Sequence, residues 1–338
     1  MRYRFPSKPV KWLFLGAGLA LVTQMSQAAA DPTTILFIGN SFTHGNYQPT
    51  LRYNAANVHD LNGSGYGGVP GIFKKLTDEA GLNYDVSIEA VSGQSLQYHY
   101  NNKLTQIGSE SWDDVVMHDY STLNPSAAGD PASLYQYSKA LEQYIHGGST
   151  NTNANADANV YLMETWARAD QVFHTPGGFW NGTSIEKMGG DLHNAYYNAA
   201  AQDPNIEGVI PVGDSFLLAV HSGVADGNPY DGIDSGKVNL WNVDSYHASA
   251  WGSYLEALTI YGQITGLDPR SVGGADGAAT DLGLSSSQAI ALQNIAFEQL
   301  QVAAVPEPET YALMLAGLGV VGWVAAKRKR RSTSALAA

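Results

Sequence analysis

Five short apolar segments, spaced along the chain, most constrain how this protein can fold. Several of them are continuously apolar rather than alternating, which is typical of parallel strands that are buried on both faces of a sheet. The predicted strands cover TILFIG (34–39), YDVSIEAV (84–91), DDVVMHDY (113–120), NVYLMETW (159–166) and EGVIPVG (207–213).

Amphipathic helical patterns lie between and after these segments. The pattern at 71–81 has apolar residues at helical spacing and ends at Gly81, a residue type suited to a helix C-terminus. Strands that alternate with helices predict an α/β protein, a three-layer α/β/α sandwich around a five-stranded parallel sheet. Further helices are predicted over 131–145, 184–202, 248–266 and 285–301.

The N-terminal end of the chain has the layout of a secretory signal peptide. Residues 1–30 combine four basic residues, the apolar stretch WLFLGAGLALV and small residues before Asp31, so cleavage is expected after Ala30. The alternative is an uncleaved anchor. Cleavage is favoured because the apolar stretch is shorter than the ~20 residues that span a bilayer.

The C-terminal end joins Pro-Glu-Pro, an apolar run (311–326) and a basic cluster (327–331). This order resembles the PEP-CTERM sorting tail of Gram-negative bacteria. The resemblance implies an exosortase-like processing enzyme as a partner, and a location at the cell surface, at the outer membrane or outside the cell after processing. The apolar run also predicts a short transmembrane helix, so a plain C-terminal anchor is the alternative.

These signals divide the chain into a signal peptide (1–30), a working domain (31–303) and a sorting segment (304–338). The basic residues in these two ends also mask the negative charge of the working domain. Half of the 18 basic residues lie in the two ends, so residues 31–309 hold nine basic residues against all 31 acids, a formal charge of −22. Such a surface repels phosphate backbones and anionic lipid. Nucleic acid is therefore excluded as a partner, and membrane contact is expected only through the terminal segments.

The absence of cysteine narrows the chemistry further. Without cysteine the chain has no disulfides, no thiolate nucleophile and no Cys-ligated zinc. The loop at 226–234 invites a calcium interpretation, but its spacing does not fit an EF-hand, since Tyr230 takes a ligand position. No metal and no organic cofactor are predicted.

A serine follows the first predicted strand directly, in ILFIGNSFTHGN (35–46). Ligands of doubly wound sheets bind beyond the carboxyl ends of the strands, where Ser41 is expected. A helix that starts there would point free N–H groups at a group attacked by the hydroxyl. Ser41 is therefore a candidate nucleophile beside an oxyanion site, and the alternative is a serine that only caps the helix.

A candidate base comes with its own acid in VDSYHASAWGSYLEAL. Asp244 and His247 are three residues apart, so the carboxylate could accept a hydrogen bond from one ring nitrogen while the other faces a serine. The alternative is a capping aspartate next to a surface histidine, because such pairs arise easily by chance.

Together, GNSF after the first strand and DxxH near the end of the domain resemble the SGNH, or GDSL-type, serine hydrolases. The resemblance covers roughly residues 33–300 and implies a flavodoxin-like fold with esterase or lipase activity. It makes Ser41 the nucleophile, His247 the base and Asp244 its acid. The backbone N–H groups of Ser41 and Gly93, from AVSGQS after the second strand, would form the oxyanion hole.

The third sequence block departs from the family pattern. Members carry Gly-x-Asn-Asp after the third strand, with the asparagine in the oxyanion hole, whereas this chain has DDVVMHDYSTLNP. Asn124 is the candidate for the third donor, with His118, Tyr120 and Ser121 as alternatives.

Aromatic residues near the predicted mouth suggest a place for the substrate. Trp166, Trp180 and Trp241 are candidate platforms on which a sugar ring could stack, although packing of a loop explains the last two equally well. Arg168 could orient a substrate oxygen, but a structural ion pair is favoured. A structural role is also favoured for His99.

The sequence thus favours an exported serine esterase, acting on O-acyl groups such as acetyl, on a neutral or weakly charged extracellular glycan. The substrate depends on family analogy alone. A non-catalytic surface or matrix protein that binds glycans on the same fold is the second hypothesis, and a lipase for long acyl chains is the third.

Overall fold

A computed structural model describes residues 31–303 of the chain. Their sheet is wholly parallel and has six strands in the order β2-β3-β1-β4-β5-β6. The strands are β1 (Thr33–Gly39), β2 (His59–Asp60), β3 (Tyr84–Ala90), β4 (Asp114–Met117), β5 (Asn159–Met163) and β6 (Ile206–Ile210).

The prediction of five strands is wrong by one. The extra strand, His59–Asp60, has only two residues, lies at the sheet edge and pairs with Ser87 and Ile88. Its polar side chains have no apolar pattern that would reveal a strand. Without it, the order of the other five is 2-1-3-4-5, the flavodoxin-like arrangement that the resemblance implies.

The predicted helices all form, and further short helices occur in the connections. Gly189 and Gly190 do not interrupt the third of them, which is continuous from Ile185 to Ala201. The helices are α1 (Ser41–His44), α2 (Gly68–Glu79), α3 (Leu96–Asn102), α4 (Leu104–Ile107), α5 (Ala132–Gly147), α6 (Ala169–Phe173), α7 (Ile185–Ala201), α8 (Val212–His221), α9 (Ala250–Thr265), α10 (Gly277–Asp281) and α11 (Ser286–Ala303).

Two groups of helices flank the sheet. Helix α9 contacts α2, α8 and α11, helix α5 contacts α3 and α7, and α7 also contacts α8. The core between them includes Ile35 to Ile38 of β1, each at most 1% exposed. Because β1 is central and buried on both faces, it fixes the position of whatever follows its carboxyl end.

Candidate active site

Ser41 is the first residue of α1, two positions beyond the end of β1. Asn40 caps this helix, because its side-chain oxygen accepts a hydrogen bond from the Phe42 N–H at 3.1 Å. Asn40, and not Ser41, therefore caps α1. The Ser41 hydroxyl remains available for another partner.

That partner is His247, as the sequence predicts. Nε2 of His247 lies 2.8 Å from the Ser41 Oγ, although the two residues are 206 positions apart. Nδ1 of the same ring lies 2.6 Å from Oδ2 of Asp244. Serine, imidazole and carboxylate therefore form one continuous hydrogen-bonded chain.

Asp244 is held in place by more than the imidazole. Its Oδ1 accepts from the backbone N–H groups of Tyr246 and His247, and the Tyr47 hydroxyl donates to its Oδ2 at 3.1 Å. Burial raises the pKa of Asp244, but the hydrogen bonds from His247 and from these N–H groups outweigh it and lower the pKa to about 2. The carboxylate is therefore ionised at neutral pH, as a partner of an imidazolium must be.

The turn that carries this pair ends before a helix begins. α9 starts at Ala250, while a bridge between Trp241 and Ala248 closes the loop that carries Asp244 and His247. Ser245, inside the turn, has a positive φ of 54°, a conformation that costs free energy for a residue other than glycine. The spacing of three residues is thus set by a constrained turn.

Asn40 links the start of α1 to the turn of Gly93. Within residues 31–303 neither the Ser41 N–H nor the Gly93 N–H donates to another protein group. The Asn40 Nδ2 donates to the Gln94 carbonyl at 2.9 Å, which ties the turn of Gly93 to the start of α1. This role of Asn40 cannot be recognised in the sequence, because a local pattern does not show a contact across 54 positions.

Gly93 is required by its backbone conformation. Its φ is +69°, and a Cβ built there would meet no atom within 4 Å. The left-handed backbone, rather than packing against other protein atoms, demands glycine here.

Gly39, by contrast, is required by close packing. A Cβ at this position would lie 2.3 Å from both the His118 Nε2 and the Thr43 Oγ1. These two atoms are themselves 2.8 Å apart and buried beneath the turn. Burial lowers the pKa of His118 to about 4, so this ring is a neutral support for the turn at physiological pH.

We expect Gly39→Ala to destabilise the protein by about 1–3 kcal/mol, because the buried pair of His118 and Thr43 must shift to admit a methyl group. Urea denaturation would show a lower midpoint with an unchanged slope. Gly208→Ala is the matched control, since a Cβ at this strand position meets no atom within 4 Å. Equal midpoints for the two variants would contradict this account of Gly39.

The third oxyanion donor remains a prediction. The Asn124 Oδ1 accepts from the N–H groups of Ser126 and Ala127, so its amide shapes a turn, although Nδ2 has no partner among the described residues. Both His118 ring nitrogens are engaged, with Thr43 and with the Asp119 carbonyl. The Ser121 hydroxyl accepts from Arg168 at 3.0 Å.

Asp119 holds the loops around the proposed site in place, a role that no local sequence pattern indicates. It is fully buried, and its Oδ1 accepts from the N–H groups of Leu96 and Tyr120. Burial raises its pKa to about 6. The carboxyl therefore fixes the loops after β3 and β4, the two strands that flank β1.

A second pair of serine and histidine lies close to the first. The His44 Nε2 is 2.8 Å from the Ser92 Oγ, and its ring stacks on Tyr66 at 4.1 Å. The His44 Nδ1 faces the Gly45 carbonyl at 3.0 Å, where the first pair has a carboxylate. Burial lowers the pKa of His44. This pair lacks the acid that would stabilise an imidazolium, so it is the weaker candidate.

The three tryptophans do not form a surface for a sugar ring. Trp166, Trp180 and Trp241 are each at most 2% exposed. Trp166 is stacked between Phe42 and Phe216, with ring centroids at 3.8 and 4.8 Å. Their prediction as substrate-binding residues is therefore wrong, because large aromatic rings in loops have been used here to fill the core.

Arg168 and His99 have the structural partners that the sequence favours. Arg168 pairs with Asp170 at 2.6 Å and lies over the Tyr246 ring, with its guanidinium carbon 3.4 Å from the centroid. His99 is fully buried, with Nδ1 2.5 Å from the Glu89 carboxylate. Neither side chain is directed at a free surface.

An open cleft of about 390 Å³ borders the turn that carries Ser92 and Gly93. Its lining is mostly small or polar, with two tyrosine side chains and one lysine. The cleft is formed by Asn62, Ser64, Tyr66, Ala90, Val91, Ser92, Tyr98 and Lys103.

The sorting tail is matched by a family model, the PEP-CTERM protein-sorting motif, over residues 304–331. The chain carries a PEP-CTERM sorting motif. This motif indicates export and surface association in Gram-negative bacteria, and it implies processing of the exosortase type. The predicted transmembrane helix (311–326) lies outside the described residues. Within 31–303, no helix combines the length and the apolar character needed to cross a membrane.

Comparisons of the whole chain bear on the fold. No curated protein matches the sequence. A DUF4886 family protein from Bacteroides uniformis is similar in structure, with 17% identity and a TM-score of 0.54 over 83% of this chain and 99% of that one. A candidate SGNH hydrolase from Slackia heliotrinireducens has 20% identity and a TM-score of 0.45, over 69% of this chain and 100% of its own.

An acetylxylan esterase from Geobacillus stearothermophilus is also similar in fold, with 13% identity and a TM-score of 0.41 over 75% of this chain and 95% of its own. The described domain has the α/β fold with a parallel sheet that the sequence predicts, and it shares this fold with the DUF4886 family protein. At these levels of identity the likeness concerns the fold alone, so the chemistry has to be argued from the site.

Proposed function

We propose that the protein is an exported serine hydrolase that cleaves carboxylic esters, with Ser41, His247 and Asp244 as its catalytic residues. One observation carries the proposal: the Ser41 hydroxyl, the His247 ring and the Asp244 carboxylate are joined by contacts of 2.8 and 2.6 Å at the carboxyl end of a central strand. Chance rarely places a serine, a correctly oriented imidazole and an ionised acid in series.

In the first half of the reaction, the Ser41 Oγ attacks the ester carbonyl carbon while the His247 Nε2 removes its proton. The charge that develops on the carbonyl oxygen is stabilised by the N–H groups of Ser41 and Gly93, with Asn124 as a candidate third donor. Asp244 keeps Nδ1 protonated and stabilises the imidazolium. The alcohol leaves with the proton of His247, and an acyl-serine remains.

In the second half, His247 removes a proton from water, and the resulting attack on the acyl-serine releases the acid. Serine recovers its proton from the same ring. All steps need only groups already in contact, so the proposal requires no cofactor.

The proposed substrates are small O-acyl groups, such as acetyl, on a neutral or weakly charged glycan outside the cell. The polar lining of the cleft beside Ser92 supports a hydroxyl-rich partner over a long acyl chain. The formal charge of −22 over 31–309 disfavours polyanions. The proposed location is the cell surface, the outer membrane or the medium, after removal of the signal peptide and processing of the tail.

The proposal is tested by labelling with a fluorophosphonate probe, followed by peptide mass spectrometry. The probe is expected to modify Ser41 in the wild type and in Ser92→Ala, which removes the hydroxyl of the competing pair. Labelling of Ser92 instead of Ser41 would contradict the assignment. No labelling, together with retained glycan binding, would favour the non-catalytic surface protein, and turnover that rises with acyl length would favour a lipase.

A further inference from the structure

Glu164 is a buried acid that the proposed mechanism does not use. It follows β5 directly and is 0% exposed, yet neither of its carboxylate oxygens has a hydrogen-bond partner among the described residues. A buried carboxylate without partners is strongly disfavoured, so it either keeps its proton or binds a cation. The neighbours of Glu164 decide between these two outcomes.

Two further metal-binding side chains converge on this carboxylate. They are Asp214 in the first turn of α8 and His193 in the middle of α7. One potential ligand atom from each of the three residues lies within 4.8 Å of the other two. The His193 Nδ1 is 3.0 Å from the Asp214 Oδ2, and the ring is fixed by stacking on Tyr197 at 4.0 Å.

The backbone places Glu164 against the start of α8. The Gly213 N–H donates to the Glu164 carbonyl at 3.2 Å, and the Glu164 N–H donates to Ile210 at 3.0 Å. A Cβ at Gly213 would lie only 2.9 Å from the Glu164 Oε1, so glycine leaves room for the carboxylate. The three side chains thus come from a strand end and two helices, which are rigid supports for a site.

We propose that Glu164, His193 and Asp214 bind a divalent transition-metal ion, with Zn²⁺ as the favoured ion. One imidazole and two carboxylates are a ligand set that suits zinc, whereas Mg²⁺ and Ca²⁺ prefer oxygen ligands alone. Ligands at ~2.0–2.1 Å from a tetrahedral ion lie roughly 3.3 Å apart, so these side chains need only small shifts to close on it. This proposal differs from the sequence analysis, which predicts no metal.

The ion has a route into the site. The side chain of His193 is 38% exposed and that of Asp214 is 21% exposed, while Glu164 forms the buried floor. Three protein ligands would leave a tetrahedral ion with one position for water.

The role of the ion follows from what it would join. Trp166, two residues beyond Glu164, stacks on Phe42 next to the nucleophile, and its Nε1 donates to the Tyr246 carbonyl next to His247 at 3.1 Å. The ion would fasten the strand end that carries this tryptophan to α7 and α8. We therefore assign it a structural role that stabilises the frame of the active site.

The experiment is a titration of the metal-stripped protein, purified without a polyhistidine tag, with Zn²⁺ alone. Calorimetry is expected to show one ion per chain. At a free Zn²⁺ concentration about 100 times the dissociation constant, Tm should rise by about 5 °C, and this rise should not need a substrate. Glu164→Gln and His193→Gln should each weaken binding by about 100-fold or more.

Glu256→Gln is the matched control. Glu256 is also 0% exposed with two unpartnered carboxylate oxygens, but it belongs to no ligand cluster within residues 31–303. This variant should bind Zn²⁺ as the wild type does. If Glu164→Gln fails to fold, His193→Gln decides, because its side chain lies at the rim.

Two results would overturn the proposal. Absence of Zn²⁺ binding and of any Tm shift in the wild type would mean that Glu164 keeps its proton beside Asp214. Binding that persists unchanged in both Glu164→Gln and His193→Gln would place the ion elsewhere. Neither readout depends on esterase activity, so a failure here leaves the proposed function standing.

Discussion

Replacing Ser41 by alanine is expected to lower kcat for an activated ester such as p-nitrophenyl acetate by about 10⁶. The variant keeps the oxyanion donors and the base but has no oxygen that can form the acyl intermediate. The loss should therefore appear in kcat, with substrate affinity little changed. Initial rates over a range of ester concentrations, at fixed pH, measure both quantities.

The control for this prediction is Ser92→Ala. It removes a hydroxyl that is 2.8 Å from a histidine, like the one in Ser41, but next to an imidazole without an acid. Its kcat should stay within about tenfold of the wild type. Turnover that survives in Ser41→Ala would end the proposed mechanism, and loss of turnover in Ser92→Ala alone would transfer the nucleophile to the second pair.

The second large effect is expected for Asp244→Asn, with a fall in kcat of about 10⁴. The amide has nearly the same shape, but it cannot stabilise the imidazolium and it favours the wrong tautomer of His247. Because the pKa of Asp244 is lowered to about 2, the wild-type carboxylate is ionised across the whole neutral range, so the full difference between wild type and variant should be measurable at neutral pH.

Tyr47→Phe provides the comparison for Asp244→Asn. It removes a single hydroxyl that donates to Asp244 at 3.1 Å and leaves the carboxylate with its other donors. We expect a loss of no more than about tenfold, equivalent to roughly 1.4 kcal/mol. If Asp244→Asn costs no more than Tyr47→Phe, the carboxylate has no catalytic role and the contact with His247 is structural.

Much of the fold could be predicted because buried parallel strands appear in the sequence as continuous apolar segments. The run before Gly39 predicted the first strand, and with it the end of the sheet at which Ser41 would lie. The pairing of Ser41 with His247 could be predicted because a nucleophilic serine needs a base. His247 was the candidate base because Asp244, three residues before it, could stabilise its protonated ring. The structure brings these side chains into contact, and the catalytic role assigned to them remains a prediction.

Other features could not be predicted because they depend on long-range packing. A tryptophan in a loop has the same sequence signature whether it faces solvent or, like Trp166, lies between two core rings. The edge strand at His59 consists of two polar residues without a pattern. Asn40 gave a helix-capping signal, but its second contact, with the turn of Gly93, depends on how two loops meet.

The ligands of the proposed metal site could not be predicted either, because they too come together only through long-range packing. Metal sites are recognised in sequence when their ligands lie close together on one element, as in an EF-hand or a zinc finger. Glu164, His193 and Asp214 are spread over three segments and 50 positions of the chain, so no local pattern joins them. The buried, unpartnered carboxylate becomes visible only in three dimensions.

The double contact of the Asn40 side chain has a consequence for how the proposed active site can diversify. Since one amide anchors both the nucleophile's helix and the neighbouring turn, the exposed positions of that turn are free to exchange their side chains without misaligning the reacting groups. Specificity can then drift at the rim while the chemical step is inherited intact, so homologues with different preferences should differ at Ser92 and its surroundings before they differ at Asn40.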